Sequence, residues 1–145
     1  MILKRFQFRL ETVLRHREAL ETQAEQNYQR AQVMVEEANV KIRAQETRRR
    51  EAMQIAPDEI TDTARLQNRE RFLLTVQAAI ALLEREREAA GIVADMMKTE
   101  LVAARQAREA LSKLREKDVA EHTFLTLREE QNALDEMATM RHGRV

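Results

Sequence analysis

The stretch that decides the fold is residues 66–111, LQNRERFLLTVQAAIALLEREREAAGIVADMMKTELVAARQAREAL. Apolar or small residues recur in it at alternating steps of three and four positions, the spacing of a buried coiled-coil seam, over about six heptads. Arginines interrupt the pattern, and we expect their stems to lie along the seam with the charged ends at its edge. The seam positions are Leu66, Arg69, Leu73, Val76, Ile80, Leu83, Arg87, Ala90, Ala94, Met97, Leu101, Ala104, Arg108 and Leu111. The stretch therefore predicts a long helix that packs along another helix.

A helix-breaking segment lies just upstream, at residues 55–62, IAPDEITD. It contains the single proline of the chain, Pro57, which disfavours helical geometry in the residue before it. Three residues after it have side-chain oxygens suited to the N-cap of a new helix, namely Asp58, Thr61 and Asp62. We therefore predict a first helix of about residues 4–54, a turn of about 55–61 and a second helix of about 62–141.

The first helix carries a less regular seam than the second. Its predicted positions are Leu3, Phe6, Leu10, Val13, Leu20, Ala24, Tyr28, Ala31, Val35, Ala38 and Ile42. Two successive steps of four, from Leu20 through Ala24 to Tyr28, predict a stutter, which locally unwinds a supercoil. The predicted fold class is all-α: an antiparallel two-helix coiled-coil hairpin with a longer C-terminal helix, forming a single domain over residues 1–145.

The second predicted helix is longer than the first by about 30 residues, so that residues 116–145 lack an intramolecular partner beyond the first few residues of the chain. That extension still carries a helical apolar stripe, formed by Phe124, Leu127 and Leu134. An unpaired stripe of this kind predicts a surface for another protein.

Residues 72–83 contain more apolar side chains than one seam uses. Phe72, Leu74 and Leu82 are left over once the seam positions are assigned. Two interpretations stay open: a broader contact with the first helix, near Ala38 or Ile42, or a partner-docking patch close to the turn.

Composition narrows the possible functions. Lys and Arg total 25, as do Asp and Glu, and the resulting zero net charge gives no bulk attraction to nucleic acid or anionic lipid. The Arg48–Arg50 cluster has acidic neighbours and no interleaved aromatics, which favours a solvated helix surface over a nucleic-acid patch. A phosphate-binding P-loop needs two glycines, the second of them in a GK[ST] ending, and the two glycines of this chain, Gly91 and Gly143, do not form that motif. The chain has no cysteine, and its three histidines are far apart in the sequence. The sequence thus predicts no catalytic site, no cofactor and no metal site.

The two ends of the chain carry family-like motifs. Residues 6–17, FQFRLETVLRHR, resemble the F-x-F-x-L-x-x-V-L-x-x-R start of the flagellar export protein FliJ family. Residues 130–141, EQNALDEMATMR, resemble the family's E-x-x-x-L-D-E-x-A-x-x-R ending. Length, scarce glycine and proline, and the central turn agree with this resemblance along the whole chain.

The resemblance implies a non-enzymatic part of the bacterial flagellar type III protein export apparatus. It implies a cytoplasmic hairpin, similar to the central stalk of rotary ATPases, that is peripherally associated with the inner membrane at the flagellar base. Its implied partners are the hexameric export ATPase FliI, whose pore it enters and whose assembly and activity it promotes, the export gate protein FlhA and export chaperones.

Arg9 and Arg15 belong to a locally basic N-terminal segment that suits an acidic pore lining; ordinary solvated charges are the other interpretation. Three rival functions stay open at this point. They are an equivalent stalk of a virulence-type injectisome, a scaffolding coiled coil that self-associates through residues 116–145, and a membrane-binding hairpin, against which the zero net charge counts.

Overall fold

Two α-helices make up the computed structural model, which describes residues 5–143. Helix α1 is Glu11–Met53, of 43 residues, and α2 is Thr63–His142, of 80 residues. There is no strand among the described residues, which confirms the predicted all-α class. The lengths of α1 and α2 confirm that the second helix is the longer one. Contacts divide the chain into two units. We name Gln23–Leu101 the turn unit, and Met1–Thr22 with Val102–Val145 the terminal unit.

In the turn unit the two helices run antiparallel. Arg69 of α2 bonds to the backbone of Ala52, and Arg87 of α2 lies next to Asn39, so residue numbers fall on α1 as they rise on α2. The core consists of small and β-branched side chains with one leucine, namely Ala24, Ala31, Ala38, Ile42, Val76, Ile80, Ala94 and Leu101. Small side chains suit a seam in which the two helix backbones approach closely, and burying them provides the apolar driving force for pairing.

The predicted seam is confirmed in the turn unit. Every predicted α2 position from Leu66 to Leu101 is buried or half-buried except Arg87, which is exposed and donates to Asn39 Oδ1 at 3.4 Å. On α1, the predicted positions Ala24, Tyr28, Ala31, Val35, Ala38 and Ile42 are likewise buried or half-buried.

Asp62 and Arg69 provide side-chain hydrogen bonds to the backbone at the turn between the helices. Asp62 is the N-cap of α2, because its Oδ1 accepts the backbone N–H of Arg65 at 3.2 Å. Arg69 donates to the carbonyl oxygen of Gln54 at 2.7 Å and also bonds to that of Ala52 and to the carboxylate of Glu59. Arg69 therefore satisfies carbonyls that the end of α1 leaves without helical partners.

The terminal unit begins with a segment that is not helical. Residues 5–8 have no regular structure and residues 9–10 form a turn, with Glu11 N–H bonded to the carbonyl of Phe8 at 3.1 Å. The first helix thus starts at Glu11, later than the predicted start near residue 4, which itself lies outside the described residues, as does Leu3. Phe8 is buried in this segment. Phe6, which was assigned to a helical stripe, therefore lies in a segment without regular structure, as does Phe8.

The register of α1 in the terminal unit differs from the prediction. Val13 and Leu20 are exposed, whereas Leu14 is 4% exposed and Glu21 is half-buried against Arg108. Leu14 and Glu21 lie seven residues apart, and steps of three and four continue from Glu21 to Ala24 and beyond. The predicted stutter near Tyr28 was therefore wrong: the prediction followed the apolar residues, while the seam contains a charged residue whose partner lies across from it.

Candidate functional site

The turn unit exposes apolar side chains on α2 close to the turn. Leu74 and Leu82 are 60% and 57% exposed, and at 3.6 residues per turn they lie about 80° apart on the helix, on the side away from the seam. Phe72 lies about 160° around the helix from Leu74, beside the seam, where the guanidinium carbon of Arg48 sits 5.5 Å from its ring centroid. The structure therefore brings Leu74 and Leu82 to one exposed face, and it directs Phe72 to a different one.

The terminal unit gathers charged residues around the start of α1. Arg15 is exposed and lies 3.8 Å from the carboxylate of Glu11, which also accepts a hydrogen bond of 3.1 Å from Arg115 Nε. Glu11, Arg15 and Arg115, together with residues 5–8, line a surface cavity of about 460 Å³. Arg9 is exposed but does not line this cavity.

Two aromatic contacts tie the N-terminal segment to α2. The ring of Phe6 meets that of His122 edge-on, with centroids 5.5 Å apart, and the guanidinium carbon of Arg115 lies 5.7 Å from the Phe6 centroid. Residues 5–8 have no regular structure and residues 9–10 form a turn, and from this segment Phe6 reaches α2 at His122. Intramolecular contacts along α2 thus extend to His122, which lies within the stretch 116–145 that was predicted to have no partner beyond the first few residues of the chain.

A charge cluster in the terminal unit was not predicted from the sequence. Glu21 accepts hydrogen bonds from Arg108 Nε at 2.6 Å and Arg108 Nη2 at 3.2 Å, and Arg105 Nε lies 3.5 Å from its carboxylate. The hydrogen bonds from Arg108 hold the pKa of Glu21 below its usual value and raise the pKa of Arg108. An arginine at a seam position was the available signal, because a cation there favours an acid at the facing position.

The C-terminal part of α2 displays the predicted apolar stripe. Phe124, Leu127 and Leu134 are 64%, 60% and 60% exposed. The half-buried residues Asp118 and His122 continue the seam, and Phe124 lies about 200° around the helix from His122. The stripe consequently faces away from the intramolecular seam and forms a surface of its own, which we call the C-terminal stripe.

No group of three or more His, Asp or Glu side chains among residues 5–143 has a geometry suited to a metal ion. Neither α1 nor α2, over their described lengths, contains a stretch long and apolar enough to cross a membrane.

The family model described as "Flagellar FliJ protein" matches residues 6–145. No curated protein and no solved structure matches the chain. The match includes both end motifs and all of α1 and α2, which confirms the resemblance found in the sequence. FliJ proteins are non-enzymatic parts of the flagellar export machinery, and this supports the prediction that the chain is not an enzyme. With nearly its whole length matched, the chain belongs to the FliJ family and is a component of the flagellar type III export apparatus.

Proposed function

We propose that this chain is the cytoplasmic, central-stalk-like component that inserts into the ring of the export ATPase FliI, promotes its assembly and activity, and links it to the gate protein FlhA and to export chaperones. The observation that carries the proposal is the family match over residues 6–145. The same match favours the flagellar apparatus over an injectisome. The chain would act at the flagellar base, peripheral to the inner membrane.

The terminal unit is the part that we assign to the ATPase. Its N-terminal segment contacts α2 through Phe6, while α2 continues past His122 to its end at His142. A continuous helix held in this way is a stiff element suited to a narrow pore. Arg9 and Arg15 are both exposed, so their charges are available to steer the segment toward an acidic lining.

The turn unit is the part that we assign to a second partner, the export gate. Leu74 and Leu82 share an exposed face and contribute nothing to the seam, so burying them against another protein is favourable. Phe72 contributes to a separate contact beside Arg48. Because the two assigned surfaces lie in different units, mutations should be able to remove ATPase stimulation and gate binding separately.

Reconstitution with the cognate export ATPase tests the first assignment. The chain should raise both the fraction of hexamers in analytical ultracentrifugation and the rate of ATP turnover. The double variant Arg9→Glu/Arg15→Glu should weaken this stimulation by about tenfold, since reversed charges repel an acidic lining. The matched control is Arg30→Glu/Arg85→Glu, which reverses two exposed charges in the turn unit.

Circular dichroism should show equal helicity for both double variants, and Arg9→Glu alone serves where the loss of the Arg15 contact with Glu11 perturbs folding. If the wild-type chain changes neither hexamer formation nor turnover, the stalk assignment fails.

Capture of the purified gate protein tests the second assignment. Leu74→Ser/Leu82→Ser should abolish capture while leaving ATPase stimulation intact. Ile92→Ser/Met96→Ser is the control, because those side chains are 57% and 56% exposed on the same helix. Equal capture by the two variants would argue against a docking face at Leu74 and Leu82.

A further inference from the structure

We propose that the surface cavity at the start of α1 binds acidic side chains from a glutamate- or aspartate-rich segment of a partner protein. The proposal rests on the assignment of the terminal unit to an acidic partner and deepens it, because a site of named residues replaces a general attraction between charges. Three observations support it: the net charge of the side chains that line the cavity, the carboxylate that they already hold, and the aromatic residues beside them.

The cavity is lined by an excess of positive charge. Its charged side chains are three arginines, Arg5, Arg15 and Arg115, and one glutamate, Glu11, which gives a net charge of plus two. The whole chain, in contrast, has a net charge of zero. A concave surface lined by one sign of charge raises the local concentration of groups of the opposite sign. The cavity therefore favours an anionic ligand.

Glu11 shows which kind of anionic group these arginines hold. Its carboxylate accepts a hydrogen bond of 3.1 Å from Arg115 Nε and lies 3.8 Å from Arg15 Nε. Arg5 takes part in no hydrogen bond or ion pair with another described residue. Each guanidinium group has five N–H donors, so the three arginines have more donors than one carboxylate satisfies. The donors that remain suit a second carboxylate from outside the chain.

The uncharged lining favours a protein side chain over a free inorganic anion. Phe6 and Phe8 line the cavity, and the guanidinium carbon of Arg115 lies 5.7 Å from the Phe6 ring centroid. A glutamate side chain has methylene groups that contact aromatic rings while its carboxylate meets guanidinium groups. Inorganic phosphate has no apolar part and gains nothing from such a contact. Because two carboxylates neutralise a net charge of plus two, a segment with several acidic residues fits better than an isolated one.

The same charge argues against two-fold pairing of this chain through the cavity. A two-fold contact places the same surface of each copy face to face. Two cavities with a net charge of plus two would then meet, and like charges across an interface oppose association. The acidic segment therefore belongs to a different protein.

Binding of synthetic peptides to the full chain tests the proposal without the ATPase. The probe is a fluorescent peptide that contains a run of glutamates, and the comparison peptide has glutamine at the same positions. Fluorescence anisotropy should show binding of the glutamate peptide at least about tenfold tighter than that of the glutamine peptide. Equal binding of the two peptides would overturn the proposal. Displacement of the glutamate peptide by an equal concentration of inorganic phosphate would assign the cavity to phosphate groups and would also overturn it.

Variants of the N-terminal segment distinguish the cavity from general attraction. Arg5→Gln/Arg15→Gln should weaken binding of the glutamate peptide by at least about tenfold, because charge-assisted hydrogen bonds are lost. The matched control is Arg9→Gln/Arg17→Gln, which removes the same charge from two exposed residues that do not line the cavity. It should weaken binding by less than about threefold, since salt screens charges that make no direct contact. An equal loss in both double variants, at equal helicity by circular dichroism, would overturn the proposal.

Removal of the carboxylate in the cavity should have the opposite effect. Glu11 competes with the ligand for the guanidinium groups of Arg15 and Arg115, so Glu11→Gln should tighten binding of the glutamate peptide by about threefold or more. Glu18→Gln is the control, because Glu18 is an exposed residue of α1 one heptad later and does not line the cavity. Unchanged or weaker binding by Glu11→Gln, or equal tightening in the control, would contradict the proposed site.

Two outcomes separate the cavity from the stalk assignment and from self-association. A chain that stimulates the export ATPase but binds the glutamate and glutamine peptides equally would remove the cavity site and leave the stalk assignment intact. Sedimentation of the chain alone should give a monomer. A dimer that Arg5→Gln/Arg15→Gln dissociates would assign the cavity to a second copy and overturn the proposal.

Discussion

In the turn unit and in the terminal unit, different kinds of contact hold α1 and α2 together. In the turn unit the buried residues are apolar and mostly small, with Ala31 and Val76 only 3% and 2% exposed. In the terminal unit, charge pairs cross between the helices, from Glu21 to Arg108 and from Glu11 to Arg115. Burial of apolar side chains depends little on pH and has no preferred direction of contact. A hydrogen-bonded ion pair, in contrast, specifies which residues of the two helices face each other.

This difference indicates a division of roles. The turn unit gains its stability from close apolar packing, which tolerates changes in solution conditions. The terminal unit is aligned by charge pairs, which contribute less net free energy because desolvation offsets their attraction. We therefore expect the terminal unit to open at a lower cost than the turn unit. The difference can be tested by mutations that remove one kind of contact at a time.

The largest effect is expected in the apolar seam of the turn unit. Ile80→Ala removes a buried side chain and leaves a cavity, which should lower the free energy of unfolding by about 2–4 kcal/mol. Leu82→Ala, two residues away and exposed, should change it by less than about 0.5 kcal/mol. Urea denaturation followed by circular dichroism measures both. Equal losses would mean that this seam does not carry the stability of the turn unit.

A smaller but sharper effect distinguishes two registers of α1 in the terminal unit. Leu14→Ala should lower the free energy of unfolding by about 2 kcal/mol, because Leu14 is buried. Val13→Ala should cost less than about 1 kcal/mol, because Val13 is 43% exposed. The same denaturation measurement applies. A larger loss for Val13→Ala would restore the register in which Val13 and Leu20 lie in the seam.

The two units also differ in how far the sequence predicts them. In the turn unit most seam residues are apolar, so their period identifies them, and the predicted positions from Ala24 to Ile42 are confirmed. In the terminal unit Val13 and Leu20 have the right chemistry but face solvent, and Glu21 has the wrong chemistry but faces Arg108. A reading of apolar periodicity alone has no means of placing a charge in a seam.

The start of α1 was mispredicted for a related reason. Phe6 and Phe8 alternate with polar neighbours, a period of two that is not helical. Phe6 was nevertheless assigned to the first helix, because its position also fits the steps of three and four of the predicted seam. The exposed surfaces were predicted more closely. Leu74 and Leu82 were identified as apolar residues in excess of the seam of α2, and the C-terminal stripe as apolar residues on the part of α2 that extends beyond the shorter first helix.

The smallest effect is a pH dependence of the terminal unit. The hydrogen bonds from Arg108 lower the pKa of Glu21 in the folded chain below the usual value of 4.5. A carboxylate whose folded pKa is depressed adds stability that is present in full above its unfolded pKa and is lost as pH falls through the folded value. The midpoint of thermal unfolding should therefore be lower for Glu21→Gln than for wild type at pH 7, with the gap closing as the solution is acidified below about pH 4.5.

Glu25→Gln is the matched control, since Glu25 is an exposed residue of the turn unit one helical turn away. Its unfolding midpoint should track that of wild type at every pH, because the Glu25 side chain is exposed and removing its charge breaks no contact with α2 among the described residues. A gap for Glu21→Gln that persists in acid would mean that the side chain contributes by packing. In that case the charge pair would not explain why Glu21, and not Leu20, faces α2.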